Sequence, residues 1–269
     1  MKTAYATMMC NGEGYLPGVE ALGSSLAASG TTAPRVLMVT PEVRPITRDR
    51  LAAQGWTIRE VDPIENPNPA TQQMLPRFGA AYTKLRAWEL DEYDKLVFLD
   101  ADTIVVKNVD DLFERPALAA APDFFLPDRF SSGVMVIEPS RALFQGMVAA
   151  LADLRSYDGG DQGFLNLFFA DWYAMPAAHR LPVGYNMAHF IYQFMRAHPA
   201  TWEKLQHEVK IIHYLVQKPW RARSTLSGAS ELWWDAYLRA HPEKPHDFRQ
   251  RLHELEDWSF DMLAHWIVG

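Results

Sequence analysis

The sequence predicts an α/β fold, a mainly parallel, doubly wound sheet flanked by helices and followed by C-terminal helices. Three observations carry it. Short apolar strands alternate with helical segments through the first part of the chain. Among these strands Leu96 to Leu99 is a continuous apolar run, as expected when both faces of a sheet are covered. That strand, Lys95 to Leu99, ends on paired carboxylates, where open α/β sheets bind their ligands.

Thr3 to Met9 reads as a buried strand, followed by a turn rich in Gly and Asn and a helix opening near Pro17. In that helix Val19, Leu22 and Leu26 recur at helical spacing, and Gly30 is placed to end it. Arg35 to Thr40 is a second strand, Thr47 to Gln54 a short helix closed by Gly55, and Thr57 to Val61 a third strand. Ala81 to Leu90 reads as a helix leading into the Lys95 to Leu99 strand. Later come a strand at Val134 to Ile137, helices at Arg141 to Leu154 and Gln162 to Ala170, and a strand at Val209 to Tyr214. Beyond Trp220 the pattern is helical, first Glu231 to Ala240, then an amphipathic stretch around Leu252, Leu255, Trp258, Met262 and Trp266. There is no internal repeat, and Pro242 to Pro245 is too short a break for a domain linker. One domain is expected.

With 48% hydrophobic residues in 269, the chain can fill a substantial core. The net charge of −7, with 26 Lys and Arg dispersed along the chain, disfavours nucleic acid as a partner. The single cysteine, Cys10, excludes an internal disulfide and fits a cytoplasmic location. No stretch approaches the roughly 20 apolar residues that span a bilayer, and Asn11, Gly12 and Glu13 interrupt the N-terminal run before any cleavage pattern. The charge of the last helix is wrong for anionic lipid; its Trp residues suit core or subunit packing, so a homodimer is one expectation.

The chemistry centres on KLVFLDADTIVV. Asp100 and Asp102 sit between two apolar runs, and a charge in such a setting must be neutralised, paired or given a metal. In extended backbone, residues i and i+2 point the same way, so the two carboxylates converge while Ala101 takes little room. Their repulsion is relieved most simply by a divalent cation. The alternative is that one Asp caps the next turn and the other faces water. A third ligand is sought among the histidines: His213, at the end of a strand-like run, is the distinctive one, with a satisfied core histidine as the alternative reading and His189 and His179 as competitors on composition. Two carboxylates and an imidazole suit Mn²⁺ better than Mg²⁺.

Other motifs are weaker. NGEGYLPG begins like a dinucleotide fingerprint, but Pro17 stands where the third glycine belongs; with Glu42 after the second strand it keeps an NAD-dependent oxidoreductase as an alternative. In DGGDQG, Asp161 and Gln162 suit sugar hydroxyls, and the segment equally suits a turn whose Asp caps the next helix. Lys218, in KPW, could reach a phosphate.

Taken in order, ATMMCNGEGYLPGVEALGSSL, AYTKLRAW, YDKLVFLDADTIVV, FSSGVMVIEPS, YDGGDQGFLN, LPVGYN and IIHYLVQKPW resemble the glycogenin/galactinol-synthase-like branch of glycosyltransferase family 8. These are retaining enzymes of the nucleotide-diphospho-sugar transferase (GT-A) fold. The resemblance implies one domain over 1–269: a nucleotide-binding half, 1–106, a donor/acceptor half, 107–220, and a helical extension, 221–269. It implies that Thr7, Asn11 and Tyr15 meet the uridine, and that Lys84 and Arg77 approach the sugar and diphosphate. Asp100, Ala101 and Asp102 form the donor-binding DxD, with Asp100, Asp102 and His213 as manganese ligands. Ser131, Ser132, Gly133 and Asp158 lie near the donor sugar. Asp161, Gln162 and Lys218 carry catalysis, Lys218 by holding the pyrophosphate. The implied partners are a UDP-sugar, UDP-glucose before UDP-galactose, and a hydroxyl acceptor. The family often has Asn-Ser-Gly where this chain has Ser131-Ser132-Gly133, which replaces an amide contact with a hydroxyl. Tyr192 follows Asn186 at an interval similar to that of the self-glucosylated tyrosine of glycogenin, and equally suits a core aromatic. A UDP-sugar-binding module that has lost transfer chemistry is a further alternative.

Overall fold

The computed structural model describes residues 1–67, 79–216, 218–220 and 228–243. Arg77 and the amphipathic stretch around Leu252 to Trp266 lie outside the described residues.

Among the described residues the main sheet has six strands: β1 (Thr3–Met9), β2 (Arg35–Val39), β3 (Trp56–Glu60), β4 (Lys95–Leu99), β6 (Ala119–Pro122) and β7 (Phe130–Ile137), in the order β3-β2-β1-β4-β7-β6. The first four run parallel, while β7 lies antiparallel to β4 and β6 antiparallel to β7. Alternation along each strand divides the core. Tyr5, Met9, Val97, Leu99, Val134 and Val136 face α1 (Leu16–Ala28), while Ala4, Ala6, Leu96, Phe98, Met135 and Ile137 face the opposite layer. That layer contains α3 (Arg141–Ala150) and α4 (Asp161–Phe168). The second helix, α2 (Pro45–Ala53), packs beside β3.

A second sheet of three strands, in the order β5-β9-β8, joins β5 (Thr103–Val105), β8 (Met187–Ala188) and β9 (Ile211–His213). Antiparallel pairing sets His213 opposite Thr103. A third core forms beneath it, where Ile104, Met187, Ile212 and Tyr214 meet Tyr192 of α5 (His189–Arg196) and Trp233 of α7 (Ala229–Arg239); α6 (Pro199–Leu205) packs on α5. Full burial of each large apolar side chain here stabilises the fold by roughly 1.5–3 kcal/mol.

Two expectations change. Ala81 to Leu90 is not an α-helix: Ala81–Glu89 forms 3₁₀ turns, which place the buried Tyr82, Leu85 and Trp88, spaced by three, on one face. The carboxylates also converge by a different route. The chain leaves extended geometry after Leu99, and the Thr103 N–H donates to the Asp100 carbonyl at 3.0 Å, so a turn carries both Asp residues from one sheet to the next.

A candidate metal and nucleotide-sugar site

The turn is held from three sides. The Asp100 N–H donates to the Gly133 carbonyl at 2.8 Å, fixing it to β7, and the Tyr214 N–H donates to the Asp102 carbonyl at 2.9 Å, fixing it to the segment after β9. From below comes the first turn of α1. A β-carbon on Gly18 would stand 2.9 Å from the Trp220 ring and 3.2 Å from the Ala101 carbonyl carbon, so only glycine lets the helix approach.

Asp100, Asp102 and His213 each offer a ligand atom, and these atoms lie within 4.8 Å of one another. His213 Nε2 is 3.2 Å from Asp102 Oδ1 and 4.0 Å from Asp100 Oδ2. On the other edge of the ring, Nδ1 meets Asn186 Oδ1 at 2.9 Å. With Nδ1–H donating to that oxygen, the Nε2 lone pair faces the carboxylates, an arrangement that needs a cation. Burial pushes the Asp100 carboxyl above the usual carboxylate range and Asp102 adds to this, while Lys84 opposes it. Burial acts on Asp102 in the same sense, yet the Lys218 ammonium holds it well below that range. The donor set therefore fits a divalent ion.

Two lysines flank the set. Lys84 is buried, with Nζ 2.9 Å from Asp100 Oδ1, 2.6 Å from Asp161 Oδ2 and 3.1 Å from Ser132 Oγ. Burial opposes its charge, but Asp100 and Asp161 outweigh it and hold the ammonium above its ordinary range. Lys218 Nζ pairs with Asp102 Oδ2 and donates to the Tyr214 carbonyl at 2.8 Å. Two residues on, Trp220 meets Tyr15 edge to face at 5.6 Å and donates from Nε1 to the Gly14 carbonyl at 3.0 Å, joining this segment to the N-terminal loop.

Of the remaining expected residues, some touch this centre and others do not. Ser132 Oγ donates to Asp161 Oδ2 at 2.8 Å and its N–H to Gln162 Oε1 at 3.1 Å. Ser131 precedes it on β7 and is half-buried. Asp158 serves the fold, its Oδ1 accepting from the N–H groups of Gly160 at 2.9 Å and Gly163 at 3.1 Å at the start of α4. Thr7 is fully buried on β1, whereas Asn11 is exposed with a left-handed φ of 54°. His179 binds the Leu118 carbonyl at 2.9 Å, away from the ligand set; His189 is buried against Tyr214, and burial pulls its imidazole down to about 4. Tyr192 is 6% exposed and packs edge to face on Trp202. Two residues given no role from sequence hold others in place: Asn186 orients His213, and Asp123 accepts from Gln162 Nε2 at 2.9 Å. Asn186 closes the LPVGYN motif and could have been found there; Asp123 carries no such signal.

Solved glycosyltransferases share this architecture. GlyE of Streptococcus pneumoniae TIGR4 superposes with a TM-score of 0.62 at 22% identity, over 88% of this chain and 61% of its own. The galactosyltransferase LgtC, crystallised with donor and acceptor sugar analogues, gives 0.63 at 19% identity over 91% and 99%. The fold is the GT-A fold of nucleotide-diphospho-sugar transferases. In sequence, residues 6–121 match Glycosyl transferase family 8, and glycogenin-1 of Mus musculus is 35% identical over 254 residues, 87% of this chain and 75% of that protein. The chain belongs to glycosyltransferase family 8, in its glycogenin-like branch. Inositol phosphorylceramide glucuronosyltransferase 1 of Arabidopsis thaliana is 35% identical over 94% of this chain, and glycogenin-1 of Caenorhabditis elegans 36% over 90%. The chain spans only 47% and 56% of the lengths of these two. Among the described residues, no helix is long and apolar enough to cross a membrane.

Proposed function

We propose that this chain transfers a hexose from a UDP-sugar to a hydroxyl acceptor, retaining the α configuration at the anomeric carbon, with Mn²⁺ preferred and Mg²⁺ as a substitute. The observation that carries it is the convergence of Asp100, Asp102 and His213 at the carboxyl end of β4, with Lys84 and Lys218 beside them. A divalent ion held by those three residues would neutralise charge on the diphosphate as it leaves.

The chain's own residues supply the rest. Lys218, already paired with Asp102, would bring its ammonium to the β-phosphate, where negative charge develops as the sugar departs. Lys84 keeps Asp100 and Asp161 apart in charge and fixes both relative to Ser132. Neither Asp161 nor Gln162 is poised as a free nucleophile. Asp161 Oδ2 is held by Lys84 and Ser132, and Gln162 is tied at both ends, to Ser132 and Asp123. This supports attack from the face that the leaving group vacates, with a phosphate oxygen taking the acceptor's proton, over a double displacement.

Some relatives are named as glucuronosyltransferases. For this chain the proposed donor is a neutral hexose, UDP-glucose before UDP-galactose; Asp161, already paired with Lys84, and Asp123, bound to Gln162, leave no unpaired cation among them to hold a uronate carboxylate. The test is UDP release from a panel of UDP-sugars with Mn²⁺, with and without candidate acceptors. UDP-glucose should give the highest rate and UDP-glucuronate the lowest, and Asp102→Asn should lower turnover at least ~100-fold. Tight UDP binding without turnover on any donor would instead mark a binding module.

A further inference from the structure

The loop between β6 and β7 holds apolar side chains out at the edge of this site. Asp123 makes the loop rigid: its Oδ1 accepts from the N–H groups of Phe125 at 2.8 Å and Leu126 at 2.9 Å, and its own N–H donates to the Arg129 carbonyl at 2.8 Å. Phe124, Phe125 and Leu126 are nonetheless 51%, 76% and 47% exposed. Phe124 meets Phe190, in the first turn of α5, edge to face at 5.5 Å, and Phe194, one turn further along, is 65% exposed. A contiguous apolar patch on ordered backbone marks a place where something binds.

Two connections tie the patch to the reaction centre. On one side, Asp123 Oδ2 accepts from Gln162 Nε2 at 2.9 Å, and Gln162 in turn binds the Ser132 N–H. On the other, His189, the neighbour of Phe190, stacks on Tyr214, the neighbour of His213, with ring centroids 5.7 Å apart. The patch thus begins where an acceptor must present its hydroxyl. Its side chains, four Phe and one Leu, carry no hydrogen-bonding group: they offer hydrocarbon contact along the whole patch and, beyond stacking on a ring face, nothing that holds the hydroxyls of a saccharide.

We infer that the acceptor is amphiphilic: a hydroxyl-bearing head enters beside Gln162, and an alkyl chain lies along Phe124, Phe125, Leu126 and Phe190. This rests on the transferase reading above and names the class of its acceptor. The test is calorimetric titration of the full chain, saturated with UDP and Mn²⁺, with methyl, butyl and octyl β-glucosides below their micellar concentrations. Affinity should rise with chain length, the octyl glucoside binding about tenfold or more tighter than the methyl one. Phe125→Ser and, separately, Phe190→Ser should flatten that dependence, with circular dichroism confirming that each variant folds. Equal affinities along the series with UDP bound, or a chain-length dependence that both variants leave intact, overturn the acceptor assignment alone. Failure of UDP to titrate overturns the transferase reading and the assignment with it. A concentration-dependent dimer that Phe125→Ser dissolves would give the patch to a second copy and overturn the proposal.

Discussion

The His213 ring occupies the space that a side chain at position 133 would need. A β-carbon on Gly133 would stand 2.5 Å from Nδ1 and overlap Cε1. The same glycine's carbonyl receives the Asp100 N–H, so one residue on β7 sets two of the three candidate ligands. Gly133→Ala is expected to move the imidazole and weaken Mn²⁺ binding by roughly 10–100-fold, as measured by titration of the folded protein. Unchanged affinity would mean that His213 is not a ligand.

Lys84 has a structural duty that separates from the donor role proposed for it. Lys84→Met leaves Asp100 and Asp161 without their shared cation and should destabilise the fold by about 3–5 kcal/mol, read as a fall in Tm and in denaturant midpoint. Adding Asp161→Asn removes one of the stranded charges. The double variant should therefore be more stable than Lys84→Met alone, and a further loss would contradict the pairing.

Cys10 should react slowly despite being half-buried. Burial, helped by the charges of Asp161 and Glu42, pushes its thiol up to about 11, and Sγ lies 3.7 Å from the Ala80 carbonyl. A raised thiol pKa means less thiolate at every pH below it, on the order of 100-fold less at pH 8 than for a thiol at its ordinary value. The iodoacetamide rate in the native protein should climb about tenfold per pH unit beyond pH 9, and a plateau near pH 9 would refute the shift.

Tyr192 should not acquire sugar. Its ring lies in the third core, and burial raises its hydroxyl above the ordinary range, so neither access nor ionisation favours attack. Peptide mapping after incubation with UDP-glucose and Mn²⁺ should find this residue unmodified. A hexose on Tyr192 would require α5 to leave the core.

What could be read in advance followed from burial. Lys95–Leu99 was placed residue for residue, because a strand covered on both faces is a continuous apolar run with polar punctuation at its ends. The 3₁₀ segment was misread because Tyr82, Leu85 and Trp88 fit a spacing that an α-helix also uses. Strand β6 went unseen because Ala119–Pro122 lacks β-branched and aromatic residues and is held at the sheet edge by pairing with β7. At the site, the residue types were legible, but the means of assembly were not. Asp100 and Asp102 converge through a turn that depends on Gly133, Tyr214 and Gly18, and nothing local in KLVFLDADTIVV announces those partners.

The pairing of β5 with β9 also sets the order in which the molecule can become competent. The carboxylates lie at one end of a loop of about 110 residues and the imidazole at the other, and closing so long a loop is an entropic cost that must be met before the contact stabilises anything. During synthesis the main sheet can therefore be complete while the candidate cation site still lacks its imidazole. Among the described residues β9 is the last strand, so under the proposed reading capture of Mn²⁺ by a nascent or refolding chain would report the docking of β9.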